Sequence, residues 1–233
     1  MVYLVLKFKS AIDITTKMQY ILTKVKYFNI VKIRGMMKLT KKEWTQKKII
    51  EAGKYIIHEK GYEAITTRYL AEVSGYSHTN LYYYFKDINT LLWELRIDMI
   101  EDMIKELTGI SYEKTDPIEE IIEDLFGYIS YFFKHPNVFR FFYFYPFIQP
   151  EADVSYKNLE QKFNGLWQKS FIKVTQEGIV KIEDMQIIAK TIIYSLQGMI
   201  MLSFSSSGIT KEDNIKDELV KLIYYLFEIN KNH

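Results

Sequence analysis

The sequence predicts an all-α fold, and three observations support that expectation. The 233 residues include only 10 Gly and 4 Pro, too few turn-forming residues for an ordinary β-sandwich or a disordered chain. Apolar residues recur every three to four positions from Lys41 onward. No convincing alternation of apolar and polar residues, as in a half-buried strand, occurs beyond residue 36. With 48% apolar residues, the chain can bury a sizeable core.

Residues 1–36 form a basic extension that we leave out of the fold prediction. The first 35 residues carry a net charge of +6 and show no clear period, and lysines interrupt every apolar stretch, unlike a signal peptide. We expect natural translation to start at Met36 or Met37, so that the extension is not translated or is disordered. The alternative is a basic arm that touches DNA or an anionic membrane surface.

The first predicted helix runs from Lys41 to Lys60, and Gly61 ends it as a C-cap. Its apolar stripe consists of Trp44, Ile49, Ala52, Ile56 and Ile57. Thr67 is the predicted N-cap of a short helix that ends at Gly75. Ser77 precedes a second short helix, His78 to Phe85, and Asp87 caps a longer helix. The stripe of that longer helix is Ile88, Leu91, Leu92, Leu95, Met99 and Met103.

Five further helices are predicted in the rear of the chain. Pro117 is a typical first-turn proline after Asp116, and His135-Pro136 ends the helix that it begins. The predicted spans are about 117–134, 137–145, 152–177, 183–204 and 211–230.

Several classes of protein are excluded by missing residues and motifs. The chain has no cysteine, which removes disulfide scaffolds, thiol nucleophiles and cysteine-based metal sites. The common hydrolase and nucleotide-binding signatures do not occur, and nothing groups His58 and His135 into a metal site. We therefore expect no catalytic residues, no metal and no cofactor. Because no uncharged apolar stretch reaches 18 residues, we expect no spanning helix and no stable membrane association.

The charge distribution and a short motif indicate that the protein binds nucleic acid. Residues 36–86 carry a net charge of +4 and residues 87–233 a net charge of −8, which suggests a front that binds a polyanion. Ala71, Gly75 and Leu81 have the spacing of a helix-turn-helix: a small residue at the crossing, a turn residue and an apolar anchor. In such a unit the second helix enters the major groove of DNA. Its predicted exposed face is His78, Thr79, Asn80, Tyr82 and Tyr83.

The stretch from Gly61 to Asp87 contains four short motifs: G-Y-E-A-I-T-T-R from Gly61, L-A at Leu70, G-Y-S at Gly75 and L-Y-Y-Y-F-K-D from Leu81. With these residues the stretch resembles the DNA-binding domain of the TetR family of transcriptional regulators. The match covers residues 41–95. The resemblance implies a three-helix DNA-binding domain over residues 37–86 and a helical ligand-binding and dimerisation domain over residues 87–233.

The resemblance also implies residue roles. Thr67, Tyr82, Tyr83 and Lys86 match phosphate-holding positions, and Arg68 matches a position that can reach a base. The candidate DNA-binding residues are Thr66, Thr67, Arg68, Ser77, His78, Thr79, Asn80, Tyr82, Tyr83 and Lys86. Two positions depart from the family pattern. Ile88 stands where many relatives have a lysine, and Thr79 stands where a glycine or proline is frequent.

Aromatic residues are concentrated in the middle of the rear region, where twelve of the 22 residues from Phe126 to Phe147 are aromatic. They are interpreted either as core packing or as the lining of a cavity for an apolar or aromatic ligand. The candidate ligand-binding residues are Trp93, Tyr131, Phe139, Phe163, Trp167 and Tyr194. The last two helices are apolar around much of their circumference, which indicates either burial within a monomer or a homodimer interface.

The prediction is therefore a cytoplasmic, homodimeric regulator of transcription. It is expected to bind a double-stranded DNA operator of palindromic sequence as a ligand-responsive repressor. The alternative is an activator or a DNA-organising protein of the same fold without a small-molecule inducer.

Overall fold

The computed structural model describes residues 40–109, 116–148, 154–205 and 211–231, and within these ranges it contains helices and no strand. The all-α prediction is confirmed, whereas the predicted extension 1–36 lies outside the described residues. The α-helices are α1 (Lys41–Lys60), α2 (Thr67–Ser74), α3 (His78–Tyr84), α4 (Ile88–Thr108), α5 (Pro117–Lys134), α6 (Pro136–Phe144), α7 (Val154–Gln176), α8 (Ile182–Phe204) and α9 (Glu212–Lys231). The predicted ends differ from these by at most two residues.

Helices α1 to α3 share a small apolar core. Ile49, Ile56 and Ile57 of α1 are fully buried and belong to the same cluster as Leu70 of α2 and Leu81 of α3. Thr40 starts α1 through a capping box with Glu43, in which each side chain bonds the other residue's backbone N–H.

Trp44 does not belong to the buried stripe of α1, contrary to the sequence prediction. Its side chain is 50% exposed, and its ring lies 5.1 Å from Lys48 Nζ. Thr45, four residues before the buried Ile49, takes the inward position and is 3% exposed. The helical period of 3.6 residues places Trp44 more than a quarter-turn away from that stripe.

The N-cap of α2 is Thr66 rather than the predicted Thr67. The Thr66 hydroxyl accepts a hydrogen bond from the Tyr69 backbone N–H at 3.1 Å, and Thr67 is already the first helical residue. At the other end, Gly75 adopts φ 74° and ψ 15°, a left-handed conformation that favours glycine. The N–H of Gly75 donates to the carbonyl of Ala71 at 3.0 Å, so the predicted turn between α2 and α3 is confirmed.

Helix α4 joins the front of the chain to the rear. Asp87 begins it by accepting a hydrogen bond from the Thr90 N–H at 2.7 Å. The helix then packs on α1 on one side and on α5 and α7 on the other. At the contact with α1, Lys54 pairs with both Asp98 and Asp102 of α4.

The rear of the protein is a bundle in which α5 packs against α7 and α9, and α8 packs against α9. Glu120 of α5 is buried and pairs with Lys169 and Lys173 of α7 at 3.3 and 3.1 Å. Helix α6 is short, and its apolar face contacts α1 and α5.

Among the described residues, α8 is the one helix that is long and apolar enough to cross a bilayer. The sequence prediction of no such segment rested on charges, and the charged residues of this helix are Glu183, Asp184 and Lys190. Only 22% of its most apolar 18-residue window is buried within the chain. Length and composition of a single helix are weak grounds for a membrane span, because a helix that packs on a partner meets the same criteria.

Candidate DNA-binding surface and interior aromatic cluster

The side chains of α3 divide into an inward and an outward set. Leu81 and Phe85 point into the core and are 3% and 2% exposed, whereas Tyr82 and Tyr83 are 46% and 74% exposed. The side chains of His78, Thr79 and Asn80 are also exposed, as the sequence predicts. The outward set combines hydroxyl, amide and imidazole groups, which can bond base edges and phosphates.

His78 connects the outward face of α3 to the start of α2. Its Nε2 lies 3.0 Å from Thr67 Oγ1, and its ring lies edge-on to Tyr82 with the centroids 5.0 Å apart. These two contacts give the imidazole a fixed place on the surface. The candidate residues of α2 and α3 thereby become neighbours rather than separate groups.

The other candidate DNA-binding residues lie on α2 and α3 or next to the ends of these helices. Ser77 is the N-cap of α3, and its hydroxyl accepts from the Asn80 N–H at 3.2 Å. Arg68 is exposed on α2, and Lys86 is exposed just after α3. Thr66 is exposed, while Thr67 is half-buried.

A further residue that positions α3 was not found from the sequence. Gln46 of α1 donates from Nε2 to the carbonyl of Tyr84 at 3.2 Å and ties α1 to the last turn of α3. The two residues are 38 positions apart, and no local pattern signals the pairing. Near this contact the first half of α1 carries four exposed lysines, Lys41, Lys42, Lys47 and Lys48.

Aromatic and polar side chains from several helices pack in the rear bundle in two groups, one around Tyr128 and Tyr143 and one around Arg96. We call this set the interior aromatic cluster: Trp93, Arg96, Tyr128, Tyr143, Phe147, Tyr156, Phe163, Trp167 and Gln197. The hydroxyls of Tyr128 and Tyr143 lie 2.6 Å apart, and Gln197 Nε2 donates to them at 2.7 and 3.1 Å. Burial raises the pKa of Tyr143 to about 12 and raises the pKa of Tyr128 well above its ordinary value, so both phenols stay neutral.

Three buried polar atoms in this cluster have no hydrogen-bond partner. They are Arg96 Nε, Trp167 Nε1 and Gln197 Oε1, and no other buried side-chain polar atom among the described residues is left in that state. Buried polar groups are normally satisfied, so an unsatisfied group in a folded protein calls for an explanation. Unsatisfied donors and acceptors of this kind are groups that a bound polar molecule could complete.

The six candidate ligand-binding residues occupy different places. Phe163 and Trp167 contact Tyr128, and Trp93 contacts Tyr156, so these three belong to the interior aromatic cluster. Phe139 stacks beside Tyr143, with ring centroids 4.6 Å apart.

The remaining two candidates lie apart from the cluster. Tyr131 packs on Phe132 and His135, close to the contact between α1 and α6. Tyr194 is 46% exposed on α8. The sequence prediction did not include Arg96, Tyr128, Tyr143 or Gln197, because nothing in a helical pattern tells a buried polar residue from an exposed one.

The outer face of α8 is apolar and uncovered in the single chain. Ile187, Tyr194 and Met201 repeat every seven residues, which places them on one stripe, and they are 66%, 46% and 41% exposed. Gly198 lies on the same side and has no atom within 4 Å of the place where a Cβ would stand. On α9, Tyr224 and Tyr225 are 39% and 63% exposed.

No group of three or more His, Asp or Glu side chains in the described ranges is arranged to hold a metal ion. His58 and His135 lie together at the contact between α1 and α6, with their rings edge-on and 5.1 Å apart. Burial, followed by the charge of Lys54, lowers the pKa of His58, and burial, followed by the charge of His58, lowers the pKa of His135.

Comparison with known proteins identifies the family of the front of the chain. Residues 49–95 match the family model described as bacterial regulatory proteins, tetR family. This range contains α2, α3 and the outward face described above. No curated protein matches the chain.

Solved structures share the fold over most of the chain. The structure of RolR in complex with its ligand resorcinol is 18% identical, has a TM-score of 0.59, and aligns over 82% of this chain and 94% of its own. The TetR-family regulator PfmR from Thermus thermophilus is 21% identical with a TM-score of 0.56, over 76% and 96% of the two chains. A tetR-family regulator from Streptomyces coelicolor is 10% identical with a TM-score of 0.62, over 83% of each chain.

Proposed function

We propose that this chain, which belongs to the TetR family of transcriptional regulators, is a repressor that binds a palindromic operator as a homodimer and releases it when a small ligand is bound. The observation that carries the proposal is the outward face of α3, where exposed hydrogen-bonding and aromatic side chains surround a buried apolar anchor. We place the protein in the cytoplasm, where its operator is, and assign it no catalytic activity.

The proposed domain boundaries follow the helices. Residues 37–86 form the DNA-binding domain, because they contain α1 to α3, and residues 87–233 form the ligand-binding and dimerisation domain. Helix α4 begins at Ile88, directly after the recognition helix, and is the physical connection between the two domains.

The proposed DNA contacts divide into two groups by chemistry. Base edges in the major groove are read from the first turn of α3 and from α2, where Asn80 can pair with adenine and Thr79 can present its methyl to thymine. The base-reading group is Arg68, Ser77, His78, Thr79 and Asn80. Phosphates are held by Thr66, Thr67, Tyr82, Tyr83 and Lys86, since hydroxyl and ammonium groups serve this purpose.

A salt titration of operator binding tests the phosphate contacts. Operator obtained by selection from a random duplex pool is bound to the wild-type chain and to Lys86→Met at several salt concentrations. We expect Lys86→Met to weaken binding and to reduce the slope of log K against log salt by about 1 per half-site. The matched control is Lys157→Met, which removes an exposed lysine from α7, outside both the DNA-binding surface and the proposed dimer interface. An unchanged slope in Lys86→Met would remove this residue from the interface.

The proposed homodimer forms through α8 and α9. The stripe of Ile187, Tyr194 and Met201 leaves a continuous apolar face on a helix whose most apolar part is mostly unburied. Soluble chains rarely leave such a face open, and a second copy would cover it symmetrically. Gly198 would let the two α8 helices approach closely.

Sedimentation velocity tests the dimer. We expect the wild-type chain to sediment as a dimer and Met201→Glu to sediment as a monomer, because two carboxylates would be buried at the same interface. The matched control is Ile148→Glu, which changes an apolar residue that is 69% exposed but lies after α6. A monomeric wild-type chain would contradict the proposed assembly.

Helix α4 is the element through which we propose that ligand binding changes operator binding. One end of it supplies Trp93 to the interior aromatic cluster, while Asp98 and Asp102 bind Lys54 of α1. A shift of α4 would therefore move the DNA-binding domain. The ligand must bind the two positions of α4 with different affinity, and typical couplings are about 1–3 kcal/mol.

The proposed ligand is a small apolar or aromatic molecule bound in the interior aromatic cluster. Edge-to-face rings and unsatisfied polar atoms are typical of a site that orients a planar molecule. RolR, whose structure holds resorcinol, shares the fold and offers a precedent in another protein. Direct titration of the operator complex with aromatic compounds tests this proposal, and an operator complex that no such compound releases would favour a regulator without an inducer.

A further inference from the structure

We propose that the ligand of the interior aromatic cluster is an aromatic carboxylate whose anionic group is bound by Arg96. This inference rests on the proposed function, since it names the chemistry of the molecule to which the regulator responds. It is carried by the surroundings of Arg96 and by the positions of the two other unsatisfied polar atoms.

Arg96 of α4 has its guanidinium among three aromatic rings. Its Cζ lies 4.5 Å from the ring centroid of Phe147, 5.4 Å from that of Trp93 and 5.7 Å from that of Tyr156. Trp93 and Tyr156 also contact each other, with ring centroids 4.9 Å apart. The faces of these rings stabilise a cation, but they offer Arg96 Nε no hydrogen-bond acceptor.

The charge of Arg96 is not balanced by the residues that the structure describes. No carboxylate within them forms an ion pair with the guanidinium, and its buried Nε has no hydrogen-bond partner. The groups that act on it electrostatically are the phenols of Tyr156 and Tyr143. Burial lowers the pKa of Arg96, but arginine keeps its proton in proteins, so the site stays cationic.

Arg96 is half-buried, and its fully buried Nε lacks a hydrogen-bond partner, which is costly for a cationic group. A ligand carboxylate would accept two parallel N–H bonds from the guanidinium fork. The aromatic rings around the cation would then exclude water from the pair. Arginine at this place is suited to an anion that enters from outside, because nothing within the described chain competes for it.

The other polar atoms of the cluster determine the rest of the ligand. Tyr143 bonds both Tyr128 and Gln197, and its phenol lies close enough to Arg96 for that charge to influence its pKa. Gln197 Oε1 is an acceptor and Trp167 Nε1 a donor, and neither has a hydrogen-bond partner. A hydroxyl group both donates and accepts, so a ring hydroxyl can satisfy either atom. The aromatic side chains of the cluster favour a planar aromatic body.

The test is calorimetric binding of matched probes to the full chain. The probes are benzoate, 4-hydroxybenzoate, 3-phenylpropanoate and 2-naphthoate, each compared with its neutral amide. The amide keeps the shape and loses the charge. We expect at least one acid to bind about tenfold or more tightly than its amide, as a charge-assisted bidentate contact requires. If no acid of the panel binds more tightly than its amide, the inference is overturned.

Variants of Arg96 test whether this residue causes the tighter binding of acids than of amides. In Arg96→Met we expect the acid and the amide to bind equally, and in Arg96→Lys an intermediate preference, because lysine keeps the charge but not the fork. The matched control is Arg140→Met, which removes an arginine of α6 outside the cluster. Retention of the full acid preference in Arg96→Met would overturn the assignment. The wild-type comparison of acid and amide stands even if a variant fails to fold.

Thermal unfolding in the presence of the probes gives an independent readout. We expect the acid to raise the Tm of the wild-type chain more than its amide does at the same concentration, and the two to act equally on Arg96→Met. An acid that raises the wild-type Tm no more than its amide would contradict the inference.

Operator release is measured on the same samples to separate this inference from the proposed function. Acids that bind through Arg96 without releasing operator would contradict the regulatory proposal only. Release by the neutral amides alone would contradict the carboxylate inference only.

Discussion

His78 Nε2 lies 3.0 Å from Thr67 Oγ1, and this contact joins the first turn of α3 to the first turn of α2. The imidazole is therefore held in place before DNA arrives. Preorganised side chains lose less conformational freedom on binding than free ones do. Both residues lie on the surface that we assign to the operator, so the contact should contribute to affinity.

A double-mutant cycle measures that contribution. Thr67→Val removes the hydroxyl, and His78→Phe keeps a ring next to Tyr82 but removes the hydrogen bond. We expect a coupling free energy of about 0.5–1.5 kcal/mol in operator binding, the usual net value of one hydrogen bond. Fluorescence anisotropy of labelled operator provides the four affinities. Strictly additive effects would show that the contact has no role in DNA binding.

Thr66 and Thr79 should separate stability from recognition. Thr66 caps α2, so Thr66→Ala should lower the free energy of unfolding by about 1 kcal/mol. Thr79 is exposed on α3, and Thr79→Ala should change stability by less than about 0.5 kcal/mol while altering base preference. Urea unfolding and operator binding of both variants provide the comparison. The prediction fails if Thr79→Ala is the more destabilised of the two.

Gly53 permits the close approach of α1 and α4. A Cβ there would collide with Cδ1 of Leu95, which is fully buried and cannot move aside easily. Overpacking costs about 1–3 kcal/mol and outweighs the helix propensity of alanine, so Gly53→Ala should be destabilised by about 1 kcal/mol. Gly165 is the control, because its Cβ would meet no atom and Gly165→Ala should be stabilised by about 0.5–1 kcal/mol. Stability changes of the same sign in both variants would contradict this account of the contact between α1 and α4.

The histidine pair between α1 and α6 should make the protein sensitive to mild acid. The pKa values of His58 and His135 are both lowered from an ordinary value of 6.5, so the unfolded chain binds more protons than the folded one just below that pH. The free energy of unfolding should therefore fall as the pH is lowered from about 7.5 to 5.5. Urea unfolding at both pH values should give a smaller fall in the variant His135→Gln. An equal fall in wild type and variant would exclude this pair as the cause.

The helices of this protein could be predicted because their signals are local. Asp87 and Asp116 cap the helices that they precede, and Gly75 takes the left-handed turn that its position requires. The outward face of α3 was also predictable, because a short helix with one buried anchor leaves the other side chains exposed. The N-cap of α2 was misassigned by one residue, since two adjacent threonines carry the same signal.

The interior of the rear bundle could not be predicted in the same way. Gln197 contacts Tyr128 from 69 residues away, and Lys54 reaches Asp98 from 44 residues away. Such pairings depend on how helices cross and not on the period of either helix. The aromatic residues between Phe126 and Phe147 indicated a rich core, but only the folded arrangement brings Arg96 against Phe147 and Gln197 against Tyr128.

Selection of bound sequences from a random duplex DNA pool, with the full chain at near-physiological salt, tests the central claim most directly. Salt must be fixed because it strongly affects every affinity for DNA. We predict one enriched palindrome, with half-site centres about 34 Å or somewhat further apart, and relaxed preference at one base pair of each half-site in the variant Asn80→Ala. Recovery of no shared sequence by the wild-type chain would contradict the proposal that α3 reads an operator.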